Sequence, residues 1–169
     1  MQGIIEESAD NVAKSMYRTS KTFEGVLQGL ETQDDAHLKK IRKKIEKFED
    51  EVEALRNHLF YFIKNLDDTS VRGSNFYIMV LANLTDIVQS LEFLAKKSFK
   101  HVDNNHSKLS EGQMADLKEI QSNFSDLLLT IEKTFLNKEF GDLGTSIEQG
   151  GLVLDLIKSK IDSQIARTR

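Results

Sequence analysis

Acidic side chains are concentrated in one short stretch whose spacing could bind a metal ion. They are Glu46, Glu49, Asp50, Glu51 and Glu53. Carboxylates four residues apart lie on one face of a helix, so Glu49 with Glu53, or Glu46 with Asp50, can share a hard cation. A hard cation takes about six or more oxygen ligands, so a neighbouring helix must supply the rest.

The sequence alone favours a simpler interpretation of these carboxylates, a solvated helix face with charge pairs between Arg42 and Glu46 and between Lys47 and Glu51. A basic run precedes and overlaps the acidic stretch: Lys39, Lys40, Arg42, Lys43, Lys44 and Lys47. Positive charge in the first turns of a helix opposes the helix macrodipole. The run therefore indicates either an ordinary solvated face or attraction to anionic lipid or an acidic partner.

The sequence contains no pattern typical of an enzyme. Cysteine is absent, which excludes thiolate chemistry and disulfides. No serine lies in a nucleophile elbow, and the histidines lack the spacing of a zinc site: His37, His58, His101 and His106. We therefore expect no catalytic residue and no organic cofactor.

Charge and composition narrow the classes of protein to which this chain can belong. The 169 residues include 27 acidic and 23 basic side chains, a net charge of −4 that offers no basic excess for nucleic acid. Hydrophobic residues make up 39% and charged residues 30%, as expected of a soluble domain with a real core. No apolar run approaches the ~20 residues that span a bilayer. We expect one soluble domain over residues 1–169 that does not bind nucleic acid.

Apolar residues recur in helical steps of three and four in five stretches, and proline is absent. The clearest stripe consists of Leu38, Ile41, Ile45, Phe48, Val52, Leu55, Leu59, Phe62 and Leu66. A helix that long must lie along other helices to bury its stripe. We predict an all-α, elongated bundle of roughly antiparallel helices at about 4–30, 35–66, 74–102, 111–137 and 140–169.

Local signals mark the helix ends. Asp34 or Asp35 can cap the second helix, and Ser110 with Gln113 forms a capping box for the fourth. Residues 67–74 are rich in turn-forming types, which predicts a break before the third helix. The third helix has a broad apolar face, typical of a central position. The fifth helix has no stop signal before Arg169, as if the chain were cut within a helix.

Three segments resemble PhoU-like domains. The stretch KKIEKFEDEVEALRNHLFYFIKNL is similar to their long acidic helix. The stretches VAKSMYRTSKTFEGVLQGLE and NLDDTSVRGSNFYIMVLANLTDIVQSLEFLAKKSFKHVDNNHSKL are more similar to one branch, the cytosolic PhoU-like tail of inorganic phosphate (PiT-type) transporters of Bacteroidetes-like bacteria. The resemblance covers nearly the whole chain and implies a bundle built from two three-helix repeats.

The resemblance also implies a metal site. PhoU-like proteins bind multinuclear metal clusters through one E/D-x-x-x-D motif in each repeat. The first motif falls on Glu49 and Glu53, and the second on Thr85 and Gln89, with Asp86 beside it. Both carboxylates of the second motif are lost, and neutral groups cannot balance clustered cations. We expect at most weak binding of a divalent or ferric ion, at Glu49 and Glu53.

The family's closing Gln-Ile-x-Arg run is similar to Gln164, Ile165 and Arg167, and a sixth helix normally follows it. Its absence would expose apolar residues of the fifth helix, which predicts a homodimer. These residues are Leu154, Ile157 and Ile161.

The resemblance implies a regulatory domain on the cytoplasmic side of the inner membrane, attached to the transmembrane part of a phosphate transporter and modulating phosphate uptake. Its basic run would face the membrane surface or the transporter. The alternative is a free-standing bundle that binds metal or a signalling partner. A structural coiled-coil adaptor is the third possibility.

Overall fold

The computed structural model describes residues 2–63 and 68–168, which are helical almost throughout. The helices in chain order are α1 (Gln2–Thr32), α2 (Asp35–Ile63), α3 (Asp68–Asp103), α4 (Glu111–Asn137), a short 3-10 helix (Phe140–Asp142) and α5 (Leu143–Arg167). These two ranges contain no strand. The predicted all-α bundle of five long helices is therefore confirmed.

Helix ends agree with the prediction where the capping chemistry is strong. The Ser110 hydroxyl accepts a hydrogen bond from the Gln113 backbone N–H, and the Gln113 side chain accepts one from the Ser110 N–H. This capping box starts α4 at the predicted residue. Asp34 caps α2, because its Oδ1 accepts the backbone N–H of His37 at 2.8 Å.

The predicted break before the third helix is wrong over residues 68–74. Those residues already belong to α3, which begins at Asp68. Asp, Ser and Thr are common in turns and at helix N-termini alike, so composition alone did not decide between the two. The predicted end of the second helix at Leu66 lies outside the described residues. The fifth segment was predicted to be helical from residue 140, but it opens with the 3-10 turn Phe140–Asp142.

Helix α1 occupies the centre of the bundle and packs against α2, α3 and α4. The prediction that the third helix is central is therefore wrong. Two glycines of α1 allow a close approach to α2. A Cβ at Gly29 would lie 2.5 Å from Leu38 Cδ2, and a Cβ at Gly25 would lie 2.5 Å from Ile41 Cδ1.

The stripe predicted for the second helix forms the core surface of α2. Its buried members are Leu38, Ile41, Ile45, Phe48, Val52 and Leu59. Leu55 is half-buried, while Phe62 and Leu66 lie outside the residues whose side chains are described. Buried residues of α1 and α3 complete the cluster, among them Met16, Leu81 and Val88. Full burial of one such side chain contributes about 1.5–3 kcal/mol.

Helices α4 and α5 extend the bundle on one side of α1. Phe23 and Phe124 meet edge to face with ring centroids 5.7 Å apart, and Ser20 Oγ donates to Ser125 Oγ at 3.0 Å. In the described part of the chain, α5 packs on α4 and the adjoining 3-10 turn and on no other helix.

The free side of α5 carries a stripe of exposed apolar side chains. We call Leu143, Ile147, Leu154, Ile161 and Ile165 the α5 stripe. The predicted exposure of Leu154 and Ile161 is confirmed, at 58% and 52%. Ile157 is half-buried instead, because it lies about one turn after the buried Val153 on the side facing α4.

One helical segment, Tyr77–Asp103 of α3, is long and apolar enough to cross a membrane by length and composition alone. This corrects the expectation that no stretch approaches such a length. The segment contains Asp86 and Glu92, and it buries Leu84 and Leu91 in the core. A core helix of a helical bundle meets the same criterion of length and composition.

Candidate functional site

The predicted metal-binding pair lies in a small cavity between α2 and α3. Glu49 and Glu53 line it together with Thr85 and Gln89, so the structure brings the four motif positions together. The cavity has a volume of about 130 Å³ and is also lined by Val52, Arg56 and Val88.

This lining does not fit a multinuclear metal cluster. It supplies only two carboxylates, and the guanidinium of Arg56 opposes a bound cation. The Thr85 hydroxyl is engaged, since it donates to the Leu81 carbonyl at 2.9 Å. Among the residues that the structure describes, no three His, Asp or Glu side chains are grouped to hold a metal. Weak binding of a single ion at Glu49 and Glu53 stays a prediction.

Arg42 and Glu51 of α2 pair with other helices and not with the partners predicted for them on α2. Arg42 contacts Glu92 of α3 at 3.1 Å, where the sequence predicted Glu46 as its partner. Glu51 contacts Arg18 of α1, where Lys47 was predicted. Arg18 also lies over the ring of Phe48, 4.3 Å from its centroid. Periodicity could not reveal these pairs, because they depend on the register between helices.

A larger cavity, of about 470 Å³, lies where α1, α2 and α4 meet. Phe48, Leu55 and Leu136 supply apolar lining, and Arg18 and Glu51 neutralise each other there. The lining holds no arrangement of a nucleophile with a base and an orienting group. It therefore offers a binding surface without evident chemistry.

A groove of about 440 Å³ between α4 and α5 combines apolar walls with a fixed charge cluster. Its apolar lining consists of Leu109, Leu117, Ile120, Ile161 and Ile165. Two of these side chains, Ile161 and Ile165, belong to the α5 stripe, so the groove and the stripe form one continuous apolar surface.

Asp116 is the centre of the charge cluster beside this groove. Its carboxylate accepts hydrogen bonds from Lys160 Nζ at 3.0 Å and from Gln164 Nε2 at 2.7 Å, and Arg167 Nη1 lies 3.5 Å away. Hydrogen bonds from Lys160 and Gln164 lower the pKa of Asp116. Hydrogen bonds to Glu119 and Asp116 raise the pKa of Lys160. The cluster fixes α5 against α4.

Gln164 and Arg167, identified by resemblance, thus join this cluster, whereas Asp116 and Lys160 were missed. No sequence signal pointed to them, since a carboxylate and a lysine on separate helices have no diagnostic spacing.

The histidines for which contacts are described act structurally at helix connections. His37 Nε2 donates to the Gly25 carbonyl at 3.0 Å, which joins α1 to α2. His101 Nε2 donates to the Ser107 carbonyl at 2.9 Å, and its ring stacks on His106 with centroids 5.2 Å apart. These contacts agree with the interpretation of ordinary surface and loop histidines.

Comparison of the chain with known protein families, curated proteins and solved structures gives no match.

Proposed function

We propose that the chain is a non-enzymatic regulatory domain of an inorganic phosphate transporter, located on the cytoplasmic side of the membrane. The observation that carries the proposal is the similarity of the α1, α2 and α3 sequences to PhoU-like transporter tails. The architecture is compatible with it: α1, α2 and α3 all pack against one another, α4 packs on α1, and α5 packs on α4.

The proposed mechanism is conformational coupling. Helix α2 has 29 residues and spans about 43 Å at 1.5 Å per residue, so a displacement at one end can be transmitted over that distance. Helix α5 is attached to the rest through α4. A ligand or partner with different affinity for two positions of this outer layer would shift their populations and thereby change transport.

A free-standing helical bundle that binds a signalling partner is the second candidate. The α5 stripe favours it, because Ile147 is 75% exposed and Leu154 is 58% exposed, with none of the described helices covering them. The two candidates differ in whether membrane-spanning helices belong to the same polypeptide.

Membrane fractionation of the native protein tests this difference. Antibodies against the chain should detect it in the membrane fraction after an alkaline carbonate wash, which removes peripheral proteins. Protease added to inverted membrane vesicles should cleave it, whereas protease added to intact cells should not. A protein recovered wholly in the wash would refute attachment to a transporter and favour the free-standing bundle.

A further inference from the structure

Two basic segments that are distant in sequence meet on the outer side of the α2–α3 pair. Lys39 Nζ lies 5.2 Å and Arg42 Cζ lies 5.9 Å from the ring centroid of Phe99, so the start of α2 faces the end of α3. Exposed lysines surround this contact on both helices. We define the basic face as Lys39, Lys43, Lys96, Lys97, Lys100 and Phe93.

Most of the positive charge on the basic face is not neutralised. Residues 35–47 and 92–103 contain nine Lys and Arg against four Asp and Glu, although the whole chain has a net charge of −4. Asp35 pairs with Lys39 at 3.3 Å and Glu92 pairs with Arg42 at 3.1 Å. The remaining lysines of the face form no ion pair with any residue that the structure describes. The face can therefore attract an anionic surface.

An exposed aromatic ring lies among these lysines. Phe93 is 59% exposed, and Lys97 Nζ lies 5.4 Å from its ring centroid. Phenylalanine has no polar atom to hydrate, so this exposure is unfavourable in water. Lysines beside exposed aromatic or aliphatic side chains are typical of helices that lie at a lipid–water interface.

We propose that the basic face binds the surface of an anionic lipid bilayer, with its lysines at the headgroups and Phe93 inserted at the acyl boundary. The inference deepens the proposed function by naming one of its partners. Vesicle binding by the isolated chain does not require a transporter, so the two proposals can fail separately.

The extent of the face favours a bilayer over a nucleic acid. Its α2 part, with the flanking Lys47, covers about 12 Å at 1.5 Å per residue. Glu46 lies within this stretch and the exposed Asp50 and Glu53 follow it, so these carboxylates would repel a long polyanion lying along the helix. A bilayer that touches the helix pair at an angle meets only the basic end. The basic face contains no arginine, the residue suited to bidentate phosphate contacts, and the adjoining Arg42 is already paired with Glu92.

Vesicle co-sedimentation of the full chain tests the proposal. Binding is compared between phosphatidylcholine vesicles and vesicles that also contain phosphatidylglycerol, at low and high salt. We expect binding to the anionic vesicles alone and a steep loss with salt. Lys43→Glu with Lys96→Glu should weaken the partition coefficient roughly 30-fold or more, since each lysine near an anionic surface contributes roughly fivefold.

Lys133→Glu with Lys158→Glu is the matched control. These lysines are exposed on α4 and α5, and the double substitution changes the net charge by the same amount. It should leave vesicle binding unchanged. Phe93→Ser should weaken binding without any change in charge. Lys43→Gln with Lys96→Gln provides a milder second variant, and circular dichroism checks the fold of each.

Three results would overturn the proposal. The first is no binding to anionic vesicles, and the second is an equal loss in both Glu double variants, which would indicate net charge alone. The third is binding of duplex DNA that depends equally on Lys43 and Lys96 and is insensitive to Phe93→Ser, which would identify a general polyanion surface.

Discussion

Replacing Gly29 by alanine adds one methyl group at a point where α1 and α2 approach closely. The new Cβ would lie 2.5 Å from Leu38 Cδ2 and 2.6 Å from Leu38 Cγ, with His37 Cδ2 at 3.2 Å. Leu38 has no exposed surface, and its Cγ cannot move without displacing the whole side chain. Either α1 and α2 must separate or Leu38 must leave its preferred rotamer.

Two opposing contributions determine how much Gly29→Ala changes the free energy of unfolding. Alanine in place of glycine inside a helix stabilises by roughly 0.5–1 kcal/mol. Overpacking of a filled core costs about 1–3 kcal/mol, and contact with a branch atom favours the upper end. We expect Gly29→Ala to lower the free energy of unfolding by about 2 kcal/mol, which lowers the melting temperature by roughly 4–8 °C in a chain of this size.

Gly151→Ala is the matched control, because a Cβ at Gly151 of α5 would have no neighbour within 4 Å. Only the higher helix propensity of alanine then affects stability, so this substitution should raise the melting temperature by roughly 1–4 °C. Thermal and urea unfolding followed by circular dichroism at the helix band measures both variants. The reasoning is refuted if Gly29→Ala stabilises the chain as much as Gly151→Ala does.

Three further predictions concern the surfaces of the bundle. Metal analysis after dialysis should find less than one equivalent of bound ion, removed by Glu49→Gln with Glu53→Gln; stoichiometric iron, manganese or zinc that survives both substitutions would place the site elsewhere. Light scattering should show a dimer, and Leu154→Lys should shift it toward monomer. Leu152 is 70% exposed but lies off the α5 stripe, so Leu152→Lys should leave the dimer unchanged. A wild-type monomer at high concentration would contradict the predicted dimer. The pKa of Asp116 is lowered in the folded chain, first by its hydrogen bond from Lys160. The ionised carboxylate therefore stabilises the fold at pH values above its ordinary pKa of 3.8, and this stabilisation is lost as the pH falls through the lowered pKa. Urea unfolding should therefore show wild type more stable than Asp116→Asn at neutral pH, with the difference closing in acid; a difference independent of pH would mean that packing and not charge is responsible.

Some features of the fold follow directly from sequence periodicity. The three-four spacing of the α2 stripe determines which side of the helix is buried, and Ile45 and Phe48 lie in the core as predicted. The capping box at Ser110 is equally local, because both of its hydrogen bonds join residues three apart. Such features need no knowledge of the other helices.

The central position of α1 could not be predicted in this way. In the sequence, Gly25 and Gly29 indicate only a weakened helix near its end. Their role is visible only once Leu38 and Ile41 of α2 lie against them. Likewise the broad apolar face of α3 indicated a central helix, although part of that face is exposed at Leu94.

For the candidate sites too, sequence spacing predicts which side chains share one helix face but not which residues of other helices lie beside them. The spacing of Glu49 and Glu53 places both on one side of α2, and the structure places them in one cavity with Thr85 and Gln89. The neighbouring Arg56 was not anticipated, because single-helix spacing does not show which groups line a cavity between helices. The sequence indicated only the α2 part of the basic face, because the α3 lysines come to lie beside it through the packing of α2 against α3.

The proposed regulatory role is tested most directly by phosphate uptake. Uptake is compared between cells that carry the proposed full-length transporter with residues 1–169 and cells that carry it without them. Both forms must reach the membrane in equal amounts, as measured by a tag on the transmembrane part. We predict that deletion changes the uptake rate or its response to external phosphate, because the role proposed for the domain is to couple a bound ligand or partner to the transporter. Unchanged uptake and an unchanged response would contradict a regulatory role and leave the structural adaptor as the interpretation.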